Sequence, residues 1–115
     1  MVEKAVKSRE KKSRGRGVDV AHAIESCIGC KWTLHVLGEI RKGVNRPGAL
    51  VRTAPGLTTK VLNERLAKLV RFDILEKRVF PEIPPHVEYH FTPFGKRFIR
   101  VIDEIEKLKS EFEGQ

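Results

Sequence analysis

Disulfide chemistry has little to work with in this chain, whose 115 residues hold two cysteines, Cys27 and Cys30. Two are too few for a disulfide framework, and this pair is too close in sequence for a useful loop closure. Long apolar runs are missing too. With 33% of residues charged, nothing approaches the stretch of about 18 apolar residues that a membrane span needs. The opening segment MVEKAVKSREKKSRGRG lacks the apolar centre of a secretory signal, so the expectation is a cytoplasmic protein that does not engage membranes. There is no Ser/His/Asp set, no paired carboxylates in a pocket pattern, no Gly-rich phosphate loop, no second CxxC and no internal repeat. Neither an enzyme nor a cofactor or metal site is expected. The length suits one domain, and 40% hydrophobic residues can build a core. So short a chain keeps much of its surface wet, and self-association is a natural way to cover leftover apolar area.

Acidic residues are also in short supply, 15 against 23 Lys and Arg, for a net charge of +8. Such a surplus points to a polyanionic partner, most often nucleic acid. Residues 1–17 carry seven basic and two acidic side chains, and residues 41–78 carry ten and three. The sign reverses at 103–113, where five carboxylates face Lys107 and Lys109. A charge run in a tail is readily explained as a solvated segment. A basic concentration in the middle of a compact domain is harder to dismiss.

Residues 1–17, rich in Gly, Ser and charge, read as a disordered basic arm, and 18–115 as the folded domain. Val20, Ala23, Ile24 and Cys27 recur at helical spacing behind a possible N-cap, Asp19, and Gly29 interrupts that helix. A second helix, Lys31 to Arg41, carries Trp32, Leu34, Val36, Leu37 and Ile40 around more than half its circumference, which marks it as central; Gly43 closes it. Asn45 is expected to cap a short helix with Pro47 in its first turn and Leu50 buried. After Ala54-Pro55-Gly56, Thr58 caps the next helix, with Leu57 and Leu62 as its hydrophobic staple. That helix buries Leu62, Leu66 and Leu69 and turns Lys60, Asn63, Glu64, Ala67 and Arg71 outward.

The period then falls to two. Leu75, Lys77 and Val79 alternate with Glu76, Arg78 and Phe80, and Val87, Tyr89 and Phe91 alternate with Glu88 and His90. Between these strands lies the proline-stiffened tip Pro81 to His86, giving a hairpin with an extended loop. Thr92 and Pro93 open a last helix, 93–113, whose residues Phe98, Val101, Ile105, Leu108 and Phe112 form a seam spaced 3-4-3-4. The fold class is therefore α+β and mostly helical: a winged helix-turn-helix with a two-stranded wing hairpin and a C-terminal dimerisation helix. Its physics suits duplex DNA, because a helix fits the major groove and a basic hairpin can grip the adjacent backbone. Some winged helices bind proteins instead.

Four segments carry a more specific likeness. They are Gly29-Cys30-Lys31-Trp32, Leu50 with Pro55-Gly56-Leu57, Leu62-Asn63-Glu64-Arg65-Leu66, and Phe80-Pro81-Glu82-Ile83-Pro84-Pro85-His86-Val87-Glu88-Tyr89. Together they resemble the HxlR-type transcriptional regulators of the MarR-like group, over roughly residues 19–108. The resemblance implies a homodimer that binds operator DNA as a repressor or activator. The chain departs from the family pattern at several positions. Cys30 stands for a glycine, Asp19 occupies the position where many members carry a sensor cysteine, Pro47 and Ala49 stand where Phe and Glu are usual, and His86 replaces a wing arginine.

The candidate DNA-binding residues are Thr58, Thr59, Lys60, Asn63, Glu64, Arg65 and Lys68 on the helix that Thr58 caps and Lys77, Arg78 and His86 on the wing. The partners expected are double-stranded DNA and a second copy of the chain, with a small-molecule or redox effector left open. Phe98, Val101, Ile105, Leu108 and Phe112 are the candidate dimer contacts. Two readings from other classes stand beside this one: a protein-interaction winged helix without specific DNA binding, and a thiol-based redox sensor using Cys27 and Cys30. A packing role for both cysteines is the plainer alternative.

Overall fold

Just after the helix that ends at Arg71, Asp73 takes a left-handed turn (φ 65°), and the chain passes from helical to extended backbone. The computed structural model describes residues 6–7 and 18–113. Its elements are β1 (Val6–Lys7), α1 (Val20–Ile28), α2 (Lys31–Arg41), α3 (Pro47–Val51), α4 (Thr59–Arg71), β2 (Leu75–Phe80), β3 (His86–Phe91) and α5 (Pro93–Phe112). The strands form an antiparallel sheet in the order β1-β2-β3, with Leu75 opposite Phe91 and Phe80 opposite His86. The hairpin is thus joined by a third, very short strand: Val6 and Lys7 pair with Val79 and Arg78 along the free edge of β2. Apart from these two residues, the expected arm lies outside the described residues.

The caps follow the side-chain chemistry. The Asp19 carboxylate accepts the His22 N–H at 3.0 Å, and Thr58 Oγ1 accepts the Val61 N–H at 3.1 Å. Gly43, with φ +103°, ends the α2 turn in a conformation that a Cβ would strain. The short helix α3 differs from expectation at its start. Its N-cap is Arg46, without a side-chain bond, rather than Asn45. Asn45 is held one residue outside, where its carbonyl accepts the Tyr89 N–H at 2.9 Å, so its backbone serves the outer edge of β3.

The core is aliphatic. Leu37, Leu50, Leu62, Leu66 and Ile74 are wholly inaccessible, and Ala23, Val36, Leu69 and Leu75 close around them. Each large side chain so buried contributes roughly 1.5–3 kcal/mol. Two residues of α5 enter this core, Phe98 and Ile102. Phe98, expected on the dimer seam, is 3% exposed and packs chiefly into the core of its own chain, at the floor of the groove between α1 and α5. Ile102 falls between the seam positions and was not singled out. The α5 stripe is therefore split: Phe98 and Ile102 face inward, Ile105 is half-buried, and Val101, Leu108 and Phe112 lie outside.

α5 is joined to the body at Thr92, which is 4% exposed. Its hydroxyl donates to the Asp73 carbonyl at 2.6 Å and accepts the Gly95 N–H at 2.8 Å, while its own N–H donates to the Ile74 carbonyl at 3.1 Å. A Cβ on Gly95 would collide with that Ile74 carbonyl, a backbone atom that cannot swing aside. Gly95→Ala is accordingly expected to destabilise the protein by about 1–3 kcal/mol despite the higher helix propensity of Ala. A denaturant midpoint equal to or above that of the wild type would contradict this.

Candidate nucleic-acid interface

The +8 charge needs a surface that places cations beside a shape able to enter a groove, and α4 supplies one. Its inner face is fixed by Leu62, Leu66 and Leu69, so the residues between them must point outward. Thr58, Thr59, Lys60, Asn63 and Glu64 are all exposed, as are Ala67 and Arg71. Lys60 and Glu64 lie 3.8 Å apart along this face, an exposed i,i+4 pair that a phosphate can readily replace. The sequence-predicted outer residues of the helix are thus brought together on one side, with the capped first turn at their head.

Two neighbours are placed differently. Arg65 turns inward from α4, with its Nε buried and unpartnered and its guanidinium beside the Cys30 thiol. Lys68 is half-buried on the flank that faces Cys27. Arg65 is therefore a residue that seats the helix on the body, not part of its outer face. Helical periodicity explains Arg65, which lies beside the buried ridge of Leu62, Leu66 and Leu69; Lys68 lies farther round the helix, and its partial cover comes from the side of the body that carries Cys27.

The wing is likewise divided by its period of two. Lys77 stands opposite Tyr89 on the face shared with Leu75 and Val87, whereas Arg78 stands opposite Glu88 on the other face. Their side chains therefore leave opposite faces of the hairpin. Arg78 is also drawn to Glu76, with Nε 2.8 Å from Oε2. His86 is the first residue of β3 rather than part of the free tip, and it stacks on Phe80 with ring centroids 4.5 Å apart. Pro81 to Pro85 are all exposed, with Ile83 98% accessible at the end of the wing.

One participant escaped the sequence reading. Arg46, exposed at the start of α3, sits 3.6 Å from the Glu88 carboxylate and links that helix to the wing. Its only sequence signal was its place in the basic 41–78 segment.

The two cysteines have opposite environments. Burial pushes the Cys27 thiol up to about 11. Burial also raises that of Cys30, but the Thr33 hydroxyl and N–H and the Arg65 guanidinium outweigh it, and the net shift is downward. The Thr33 hydroxyl donates to its sulfur at 3.1 Å. Of the pair, only Cys30 is partly exposed; Cys27 is core.

Among the described residues no helix is long and apolar enough to cross a membrane. Comparison with known proteins agrees with the geometry. A helix-turn-helix transcriptional regulator of Synechocystis sp. is 42% identical over 93 residues, covering 81% of this chain and 68% of that protein. One from Methanothermobacter thermautotrophicus is 35% identical over 78 residues, 68% of this chain and 60% of its own length. The chain thus spans about two thirds or less of these relatives. Among solved structures, the reduced form of the Bacillus subtilis transcriptional regulator YodB superposes with a TM-score of 0.69 at 28% identity, covering 80% of this chain and 90% of YodB. A MarR-family transcriptional regulator from Enterococcus faecalis V583 gives a TM-score of 0.71 at 27% identity, over 90% of this chain and 94% of that one. These relatives are transcriptional regulators and not enzymes. Residues 27–115 match the HxlR-like helix-turn-helix family, and the chain belongs to that family of winged-helix transcriptional regulators.

Proposed function

We propose that the protein is a sequence-specific double-stranded DNA-binding regulator that acts as a homodimer on an inverted-repeat operator in the cytoplasm. The observation that carries this reading is the outer face of α4, where Thr59, Lys60 and Asn63 are exposed beside a capped N-terminus, in a chain of net charge +8. Asn63 can pair bidentately with adenine in the major groove, and Lys60 can reach a guanine edge or a phosphate. The wing, with Arg78 and His86, and the basic residues of 1–17 add affinity that does not depend on sequence.

Dimerisation is supported by the residue pattern of α5. Val101, Leu108 and Phe112 are 46, 57 and 79% exposed, an apolar stripe on a 20-residue helix of about 30 Å. Beside it, Val20, Ile24, Phe94 and Val101 line an open groove of about 610 Å³ between α1 and α5. A second copy related by a two-fold axis would cover both and would present two α4 helices to half-sites about one helical turn, or a multiple, apart. α5 is also self-complementary in charge. Lys96, Arg97 and Arg100 lie in its first half, and in its second Asp103, Glu104, Glu106 and Glu111 outnumber Lys107 and Lys109, so an antiparallel pair sets a net positive half against a net negative one.

A thiol-responsive regulator is the second reading, favoured by Cys30, whose lowered thiol lies against Arg65 of α4. Alkylation at Cys30 would then weaken DNA binding, and Cys30→Ser would be indifferent to the reagent. If Cys30→Ser lost affinity to the same reagent, the thiol reading would fail.

Two outcomes test the main reading. Asn63→Ala should cost roughly 1–3 kcal/mol at one operator position and relax selectivity there, with the fold intact. Unchanged affinity and selectivity would remove Asn63 from the interface. The exposed pair Leu108→Glu with Phe112→Glu should give a folded monomer with weakened operator binding, measured by sedimentation and mobility shift. A wild-type protein that is monomeric at micromolar concentration yet binds a half-site fully would contradict the dimer.

A further inference from the structure

We propose that the wing is a protonation switch: His86 cross-links the wing loop to β3 only as an imidazolium, so that duplex affinity falls as pH rises through the histidine range. This rests on the DNA-binding reading above and names a regulation of that same interface.

Both ring nitrogens of His86 face carboxylates. Nδ1 lies 3.1 Å from Glu82 Oε1 in the wing loop, and Nε2 lies 3.2 Å from Glu88 Oε2 in β3. A carboxylate can only accept, so both contacts are hydrogen bonds only when both nitrogens carry protons. A neutral ring has one N–H and turns a lone pair toward the other carboxylate, which replaces an attraction with a repulsion. Phe80, stacked flat against the ring, holds the imidazole between the two acids and limits its escape. His86 is thus the rivet between an exposed, proline-rich loop and the sheet that carries it.

The rest of the cluster belongs to the same circuit. Glu88 Oε1 takes a second histidine, His90, at 2.8 Å, and Arg46 of the α3 cap approaches Oε2 at 3.6 Å. Asn45 lies 3.4 Å from His90 Nε2. From β2, Arg78 stands opposite Glu88 and Glu76 opposite His90, with Arg78 and Glu76 paired to each other. The His90 hydrogen bond, opposed by burial and aided by His86, holds the Glu88 carboxyl below the usual carboxylate range. Glu88 therefore stays ionised while the imidazoles titrate. Arg46 and Arg78 are the neighbouring fixed cations of this cluster, Arg46 beside Glu88 and Arg78 beside Glu76.

Two effects act in the same direction on DNA. Deprotonation leaves His86 able to donate to only one of the two carboxylates, which breaks the cross-link between the wing loop and β3, and it leaves Glu82 and Glu88 less well neutralised on a surface that must approach phosphates. For each proton taken up with binding, affinity changes by as much as about tenfold per pH unit. The relevant window is about pH 5 to 8, where histidine changes charge.

The test is duplex affinity at fixed ionic strength across that window, for the wild type, His86→Gln and His86→Arg, with circular dichroism as the folding control. The wild type should bind more tightly at the acidic end. His86→Gln should bind more weakly there and lose most of the pH slope. His86→Arg should lose the slope but keep tight binding at the alkaline end. A slope retained in both variants overturns the proposal and leaves the DNA-binding reading standing. Absence of duplex binding at every pH removes that reading, and this one with it. The free protein supplies a readout independent of DNA. The Ile83 amide resonance should follow the His86 ring through its titration in the wild type and stand still in His86→Gln; an Ile83 resonance indifferent to the His86 titration overturns the switch.

Discussion

The Thr92 hydroxyl is the constraint from which the geometry of the domain follows. It donates to the carbonyl of Asp73 and accepts the N–H of Gly95. Four elements meet within these few residues: α4 ends at Arg71, β2 starts at Leu75, β3 ends at Phe91 and α5 begins at Pro93. The side chain is almost wholly buried, so each of its bonds forms where water cannot substitute. Gly95 makes the arrangement possible, because only a residue without a Cβ lets the first turn of α5 rest on the Ile74 carbonyl. The angle at which α5 leaves the body, and with it the direction of its exposed apolar stripe, is set at this point.

The same economy joins the helix-turn-helix to the wing. The Asn45 carbonyl takes the Tyr89 N–H, and Arg46 approaches Glu88, so the start of α3 is fastened to the outer edge of β3. Farther along, Arg41 of α2 holds both oxygens of Asp103 in α5 at 3.0 Å, although an ion pair this exposed adds little stability. α4 is anchored from within by its leucines and by Arg65 against Cys30, which leaves its outer side chains free of structural duties. A recognition surface of this kind is rigid in its backbone and adaptable in its side chains.

Much of this was legible in the residues because local chemistry and tertiary packing agree. Asp19, Thr58 and Thr92 cap where short polar side chains precede an apolar period, and the change from 3.6 to 2 at Leu75 marks the wing. The differences arise where a distant partner overrides a local preference. Asn45 is a good cap by type, but β3 claims its backbone, and Arg46 takes the position without a side-chain bond. Phe98 fits a heptad seam, yet the body needs it, together with Ile102, to close the core beneath α5. Arg65 belongs to the charged residues of α4 but lies one step from the buried ridge and turns inward. The period of two already sets His86, Glu88 and His90 on one face of β3, but no spacing rule signals the contact of Glu82 with His86, since it depends on the loop folding back on its own strand.

The central claim is that two copies of α4 read two half-sites on one duplex. Hydroxyl-radical footprinting on a duplex selected from random sequence by the wild-type protein tests it most directly. The account predicts two blocks of protection related by a dyad, centred about 10 base pairs or a multiple apart, with sequence preference concentrated within the blocks. A single block without a dyad, or protection that moves freely along the duplex with no preferred sequence, would contradict it.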